Sequence, residues 1–186
     1  MVIAGENIFL VGPMGSGKTT VGRQLANASA REFVDSDREI EARTGVDIPY
    51  IFEREGEEGF RRRERKIIQE LSARRGIVLA TGGGAVLDPG NRRVLAARGL
   101  VVYLRASVRA QFERTSHSRH RPLLAEGDRR QTLQRLWEER EPLYREIADL
   151  VVHVHRQSAR AVAVEILRDI AQLEVDERSL PCPVKS

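Results

Sequence analysis

The residues best equipped for chemistry begin close to the amino end. Gly12-Pro13-Met14-Gly15-Ser16-Gly17-Lys18-Thr19 fits G-x-x-x-x-G-K-[ST], a phosphate-binding loop, with the apolar run Ile8 to Val11 before it and a helical pattern after it. Glycines let backbone N–H groups curl around a polyphosphate, and the N-terminus of the next helix adds partial positive charge. Lys18 then reaches the β- and γ-phosphates. Thr19 offers a hydroxyl to Mg²⁺, an ion that takes few protein ligands and keeps several waters. Among 31 basic residues only Lys18, Lys66 and Lys185 are lysines. A chain so biased to arginine keeps an ammonium where a compact charge must sit among phosphate oxygens.

Two further groups follow. Asp35-Ser36-Asp37 opens after a short strand that ends near Phe33-Val34, and ligands of open parallel α/β sheets bind outside the carboxyl ends of strands. The other reading of such residues is a helix cap. Ile77-Val78-Leu79-Ala80 runs into Thr81-Gly82-Gly83-Gly84. Many phosphate-loop nucleotidases hold Mg²⁺ partly through an aspartate at the end of such a strand. None stands here, which makes Asp35 the best-placed substitute. The triple glycine removes side chains where a ligand can approach the backbone.

Apolar periodicity supplies the elements that position these groups. Strands are expected at Asn7 to Val11, up to Phe33-Val34, and at Ile77 to Ala80, Leu100 to Leu104 and Leu150 to Val154. Between them lie helices: Thr19 to Ala28, Arg38 to Arg43, and a charged stretch from Val46 to Arg75 with a turn-like Gly56 and a core stripe of Ile67, Ile68 and Leu71. Asp88-Pro89 caps the next helix, and Ser107 caps one that reaches Arg114. Thr115 to Arg121 is polar and basic, the composition of a mobile lid. Asp128 starts a long helix carrying Leu133, Leu136, Trp137 and Arg140 and broken by Pro142, with Trp137 expected in the core. Ser158 caps a final helix to about Gln172. His153 and His155 read as strand-end residues without metal-ligand spacing. Five strands alternating with helices predict an α/β fold, a parallel sheet covered on both faces.

The chain of 186 residues with 41% apolar content is expected to form a single domain. Its 31 basic and 27 acidic residues and pI near 9.7 are mixed in sign along the chain, which favours a solvated surface over a nucleic-acid stripe. Cys182 is the sole cysteine, so an internal disulfide and a cysteine-based metal cage are excluded. No apolar run approaches the ~18 residues of a membrane span, and the amino terminus lacks the positive flank of a signal peptide. These features lead us to expect a cytoplasmic monomer with neither nucleic-acid nor membrane partners.

In order along the chain stand the phosphate loop, Asp35-Ser36-Asp37, Gly59-Phe60-Arg61, Gly82-Gly83-Gly84, Arg121-Pro122-Leu123-Leu124 and Arg140-Glu141-Pro142-Leu143-Tyr144. On these motifs, from about Asn7 to Gln172, the chain resembles the shikimate kinases. The resemblance implies a nucleoside-monophosphate-kinase-like P-loop fold with strand order 2-3-1-4-5, and transfer of the ATP γ-phosphate to the 3-hydroxyl of shikimate. One kinase domain is expected over 1–173, with substrate-binding helices at about 36–62 and a lid at about 115–125; the segment 174–186 has no family motif and, being polar with Pro181 and Pro183, is expected to be a disordered tail. By position, Asp37 is the shikimate-hydroxyl ligand and general base, Arg61 and Arg140 grip the carboxylate, and Gly83 binds shikimate through the glycine turn. Gly15, Ser16, Gly17, Lys18, Thr19 and Thr20 bind the ATP phosphates. Thr19 ligates Mg²⁺ and Asp35 holds it through water. Arg121, from the lid, approaches the phosphates, and Gln157 matches a nucleotide-contacting position. Another small-molecule kinase of this fold, such as a gluconate or nucleotide kinase, is the competing enzyme reading. A silent nucleotide-dependent module and a basic nucleic-acid binder are the readings of other classes.

Overall fold

The computed structural model describes residues 6–116, 128–155 and 157–179. Five parallel strands form one sheet in the order β2-β3-β1-β4-β5. They are β1 (Asn7–Val11), β2 (Glu32–Asp35), β3 (Ile77–Ala80), β4 (Gly99–Arg105) and β5 (Leu150–His153). The helices are α1 (Lys18–Ala28), α2 (Ser36–Thr44), α3 (Ile48–Ser72), α4 (Pro89–Arg98), α5 (Val108–Thr115), α6 (Arg129–Ile147) and α7 (Ala159–Ser179). A short 3-10 turn, Ala85–Leu87, follows the triple glycine.

Because side chains alternate across a strand, each strand feeds two cores. Phe9, Val11, Leu79, Val101 and Tyr103 pack beneath α3, α4 and α6 on one face. Ile8, Leu10, Val78, Val102 and Leu104 pack on the other, beneath α1 and α7. Strands buried on both faces read as unbroken apolar runs, as Ile8 to Val11 and Ile77 to Ala80 do. The pairing Leu10 with Ala80 and Val11 with Tyr103 brings the carboxyl ends of β3, β1 and β4 to one edge.

The structure departs from expectation in a few places. Helix α6 is not broken at Pro142; it runs on to Ile147. The ring removes one helical hydrogen bond, but Tyr144 and Ile147 beyond it are buried, and that burial holds the last turn in place. Helix α7 continues through Glu174 to Ser179, in place of the disordered tail expected there; residues 180–186 lie outside the described residues. Neither glycine nor proline interrupts this stretch before Pro181, and Leu173 still packs on the core. Trp137 is half-buried rather than in the core, lining an open surface cleft with Arg105, Ser107 and His153. The turn-like Gly56, by contrast, is as expected: helix α3 breaks its geometry there, with φ of 67° in the left-handed region that glycine tolerates. The lid beyond Ser116, Arg121 within it, and Cys182 lie outside the described residues.

Candidate active site

The phosphate loop joins β1 to α1 with Gly15 at φ 75° and Gly17 at φ 91°, conformations that turn successive N–H groups to one side. Ser16 is fully buried beneath it, whereas Thr20 is exposed on α1. The Lys18 ammonium lies across the loop, donating to the carbonyls of Gly12 at 2.7 Å and Pro13 at 2.9 Å. The Thr19 hydroxyl donates to Asp35 Oδ2 at 2.8 Å.

Asp35 does two jobs. Its Oδ1 caps α2 by accepting from the amides of Asp37 at 3.1 Å and Arg38 at 3.4 Å, while Oδ2 faces Thr19. The cap reading therefore belongs to Asp35, and Asp37 in the first turn is left to do something else. Ser36, between them, is fully buried and its hydroxyl accepts from the Gly82 amide at 3.0 Å, which ties the start of α2 to the glycine turn.

The glycines of that turn make room for charge. A side chain on Gly82 would lie 2.5 Å from Glu64 Oε1 and 2.8 Å from Asp37 Oδ1. One on Gly84 would overlap the Arg61 guanidinium, and one on Gly83 would come 3.3 Å from the Met14 amide of the phosphate loop. Asp37, Glu64, Arg61 and the phosphate loop thus converge on three glycines. Arg61 donates to Glu64 Oε2 at 2.7 Å and to Glu57 at 2.9 Å. Arg140, on α6, is 5% exposed and lies near enough to Glu64 to lower its pKa.

Three polar atoms at this place are buried without a hydrogen-bond partner among the described residues: Asp37 Oδ1, Glu64 Oε1 and Arg140 Nε. Buried polar groups are ordinarily satisfied. Two acceptors and a cationic donor left open together suit a ligand with hydroxyls and a negative charge. Burial, reinforced by the Glu64 and Asp35 carboxylates, pushes the Asp37 carboxyl from 3.8 up to about 7, against the pull of Lys18 and Arg61. Burial likewise raises Glu64 above the usual carboxylate range, opposed by Arg61 and Arg140.

The family model for shikimate kinase matches residues 14–171. The chain belongs to the shikimate kinase family. A shikimate kinase of Nitrosococcus oceani is 59% identical over 166 residues, 89% of this chain and 87% of the relative. The structure of a shikimate kinase from Acinetobacter baumannii in complex with shikimate superposes with a TM-score of 0.89 at 50% identity, covering 90% of this chain and 94% of that one. A gluconokinase from Sinorhizobium meliloti, at 20% identity and a TM-score of 0.59 over 94% of this chain and 98% of its own, shares the fold alone. Membership makes this chain a kinase that uses ATP and acts on shikimate, and it carries the sheet order of the P-loop kinases.

Among the residues expected from sequence, Lys18, Thr19, Asp35, Asp37, Arg61, Gly83 and Arg140 come together at the carboxyl ends of β1, β2 and β3 or on the helices facing them. Gln157 is exposed in the turn before α7, two residues beyond His155. Four further residues escaped the sequence reading. Arg114 bridges the carbonyls of Gly15 at 3.0 Å and His155 at 2.7 Å, stapling the phosphate loop to the end of β5. Ser36 and Tyr144 both hold the glycine turn. Glu64 had a legible signal: it falls on the same helical stripe as Phe60, Ile67, Ile68 and Leu71, a carboxylate where apolar residues belong.

Proposed function

We propose that Asp37 receives the proton of the shikimate 3-hydroxyl as that oxygen attacks the γ-phosphorus of ATP. The bond from the γ-phosphorus to the β-γ bridging oxygen breaks and ADP leaves. The reading is carried by the open acceptors of Asp37 and Glu64 beside Gly82, with Arg61 and Arg140 at the same place. Arg61 and Arg140 hold the shikimate carboxylate by charge-assisted hydrogen bonds, and the glycine turn at Gly83 presents backbone amides to the substrate.

Phosphoryl transfer proceeds through a loose transition state with charge spread over the γ-phosphoryl oxygens, so positioning and electrostatics supply most of the rate. Gly15, Ser16, Gly17, Lys18, Thr19 and Thr20 bind the ATP phosphates. Lys18 leaves the carbonyls of Gly12 and Pro13 to reach the β- and γ-oxygens. Arg121 from the lid and Gln157 from the turn before α7 complete the nucleotide contacts.

Thr19 and Asp35 fit Mg²⁺: a hydroxyl and a carboxylate oxygen, both hard donors, meet at 2.8 Å beside the phosphate loop. Thr19 would hold the ion directly and Asp35 through water. Bound there, Mg²⁺ neutralises charge on the β- and γ-phosphates. We place the reaction in the cytoplasm, carried out by a monomer without nucleic-acid or membrane partners. No helix among the described residues is long and apolar enough to cross a membrane.

ADP release with Mg-ATP, measured against shikimate, gluconate and nucleoside monophosphates in parallel, tests the reading. Release that depends on shikimate alone is expected. Release with gluconate or a nucleotide in its place would reject the assignment of Arg61 and Arg140 to a carboxylate.

A further inference from the structure

The turn after β3 has three glycine carbonyls, and each is held by a donor. Gly82 O accepts from the Ala85 amide at 3.1 Å and Gly84 O from the Leu87 amide at 3.0 Å, both local bonds. Gly83 O has no local donor and accepts instead from the Tyr144 hydroxyl, 61 residues away on α6. The Gly82 amide is taken by Ser36. The amides of Gly83 and Gly84 have no acceptor among the described residues.

A trans peptide is planar, so its C=O and the following N–H point in opposite directions. Fixing the Gly83 carbonyl towards α6 therefore fixes the Gly84 N–H away from it. Glycine offers the backbone little resistance to other orientations, so an external clamp decides the direction. Tyr144 suits that task. It is 1% exposed and its ring stacks on Tyr103 with centroids 5.0 Å apart and planes at 25°, which stops it swinging. A buried hydroxyl is costly unless bonded, and here the Gly83 carbonyl takes it. Tyr144 also stands four residues beyond Arg140, one turn along the same face of α6. One rigid helix thus sets the spacing between the arginine and the glycine amides.

We propose that Tyr144 is a positioning residue for shikimate: through the Gly83 carbonyl it aims the Gly84 amide at the substrate. This rests on the reading of Arg140 and Gly83 as parts of the shikimate site. The residue touches no reacting atom. Its effect falls on the acceptor and leaves the nucleotide alone.

Tyr144→Phe removes the hydroxyl and keeps the stacked ring. It is expected to raise the KM for shikimate about tenfold, the scale of one lost hydrogen bond, with the KM for ATP unchanged and the melting temperature within a few degrees. Tyr103→Phe is the matched control, because the Tyr103 hydroxyl makes no hydrogen bond to the glycine turn among the described residues; its shikimate KM should stay within about twofold of the parent. An unchanged shikimate KM in Tyr144→Phe, or equal shifts in the KM values for shikimate and ATP, overturns the proposal. Arg140→Ala run alongside separates the two levels. If it raises the shikimate KM while Tyr144→Phe does not, only the clamp is wrong; if it does not raise the KM, the site reading fails and the clamp with it. A measurement on the unaltered protein bears on the same point: in nitrogen-labelled protein the Gly84 amide resonance should move when shikimate is added, and a stationary resonance contradicts the proposal.

Discussion

Glu64 stands three residues beyond Arg61 on α3 and accepts from its guanidinium at 2.7 Å, with 1% of the Glu64 side chain exposed and 17% of that of Arg61. The pair holds the terminal nitrogens of the guanidinium against Gly84, where a β-carbon would collide with them. A buried charge is tolerable only while its partner remains.

Removing that partner should therefore be felt in stability as well as binding. Glu64→Ala is expected to destabilise the fold by about 2 kcal/mol, the scale of a hydrogen bond to a charged group, and to raise the shikimate KM, because Arg61 keeps only its more exposed partner Glu57. Thermal melts and shikimate titrations of ADP release check both. A melting temperature equal to the parent's would mean that the pair contributes little to the fold.

Arg140 is buried, and its Nε has no hydrogen-bond partner among the described residues, with a Glu139 carboxylate oxygen 4.0 Å away. Arg140→Ala should raise the shikimate KM by about a hundredfold, the scale of a charge-assisted contact in a desolvated place, while the KM for ATP stays put. Equal losses for both substrates would assign Arg140 to the architecture instead.

Lys18→Ala should lower turnover severely, since its ammonium is the one phosphate-loop cation among the described residues and positioning of charge dominates phosphoryl transfer. Shikimate binding measured by calorimetry should remain. Turnover near the parent value would remove Lys18 from the transition state.

The Asp37 carboxyl at about 7 gives a pH dependence with a defined sign. Only the ionised form accepts a proton, so kcat/KM for shikimate at ATP well below its KM, which reports groups of the free enzyme, should fall as pH drops through about 7 and level off above it. Stability runs the other way. A carboxyl raised from 3.8 to about 7 on folding favours the fold fully below about 4, and that contribution is lost as pH rises through about 7. Asp37→Asn should therefore be more stable than the parent at pH 8, by on the order of a few kcal/mol in denaturant unfolding, and lose that advantage towards pH 4. A difference independent of pH would show that Asp37 is not the group that titrates.

The sequence carried the sheet well because strands buried on both faces leave unbroken apolar runs, and Ile8 to Val11, Ile77 to Ala80 and Leu100 to Leu104 are such runs. Strand order came only with the resemblance, since periodicity says nothing about neighbours. Asp37 and Asp35 were legible from their place after β2, but which one caps α2 was not, because the two are the same good capping residue. The elevated Asp37 carboxyl was not foreseen: orienting a hydroxyl asks nothing of its pKa, and the burial and the Glu64 neighbour behind the shift come from α3 packing over the turn. Pro142 misled in the opposite sense, since local propensity argued for a break and the burial of Tyr144 and Ile147 overrode it. Tyr144 itself carried no chemical signal in the sequence, and its meaning appears only in the bond to Gly83.

The most direct measurement is single-turnover phosphoryl transfer to shikimate by Asp37→Asn, with shikimate and ATP binding measured on the same preparation. Both ligands should still bind, while transfer falls at least about a hundredfold, the loss typical of a missing general base. Transfer at the parent rate with both ligands bound would contradict the role given to Asp37.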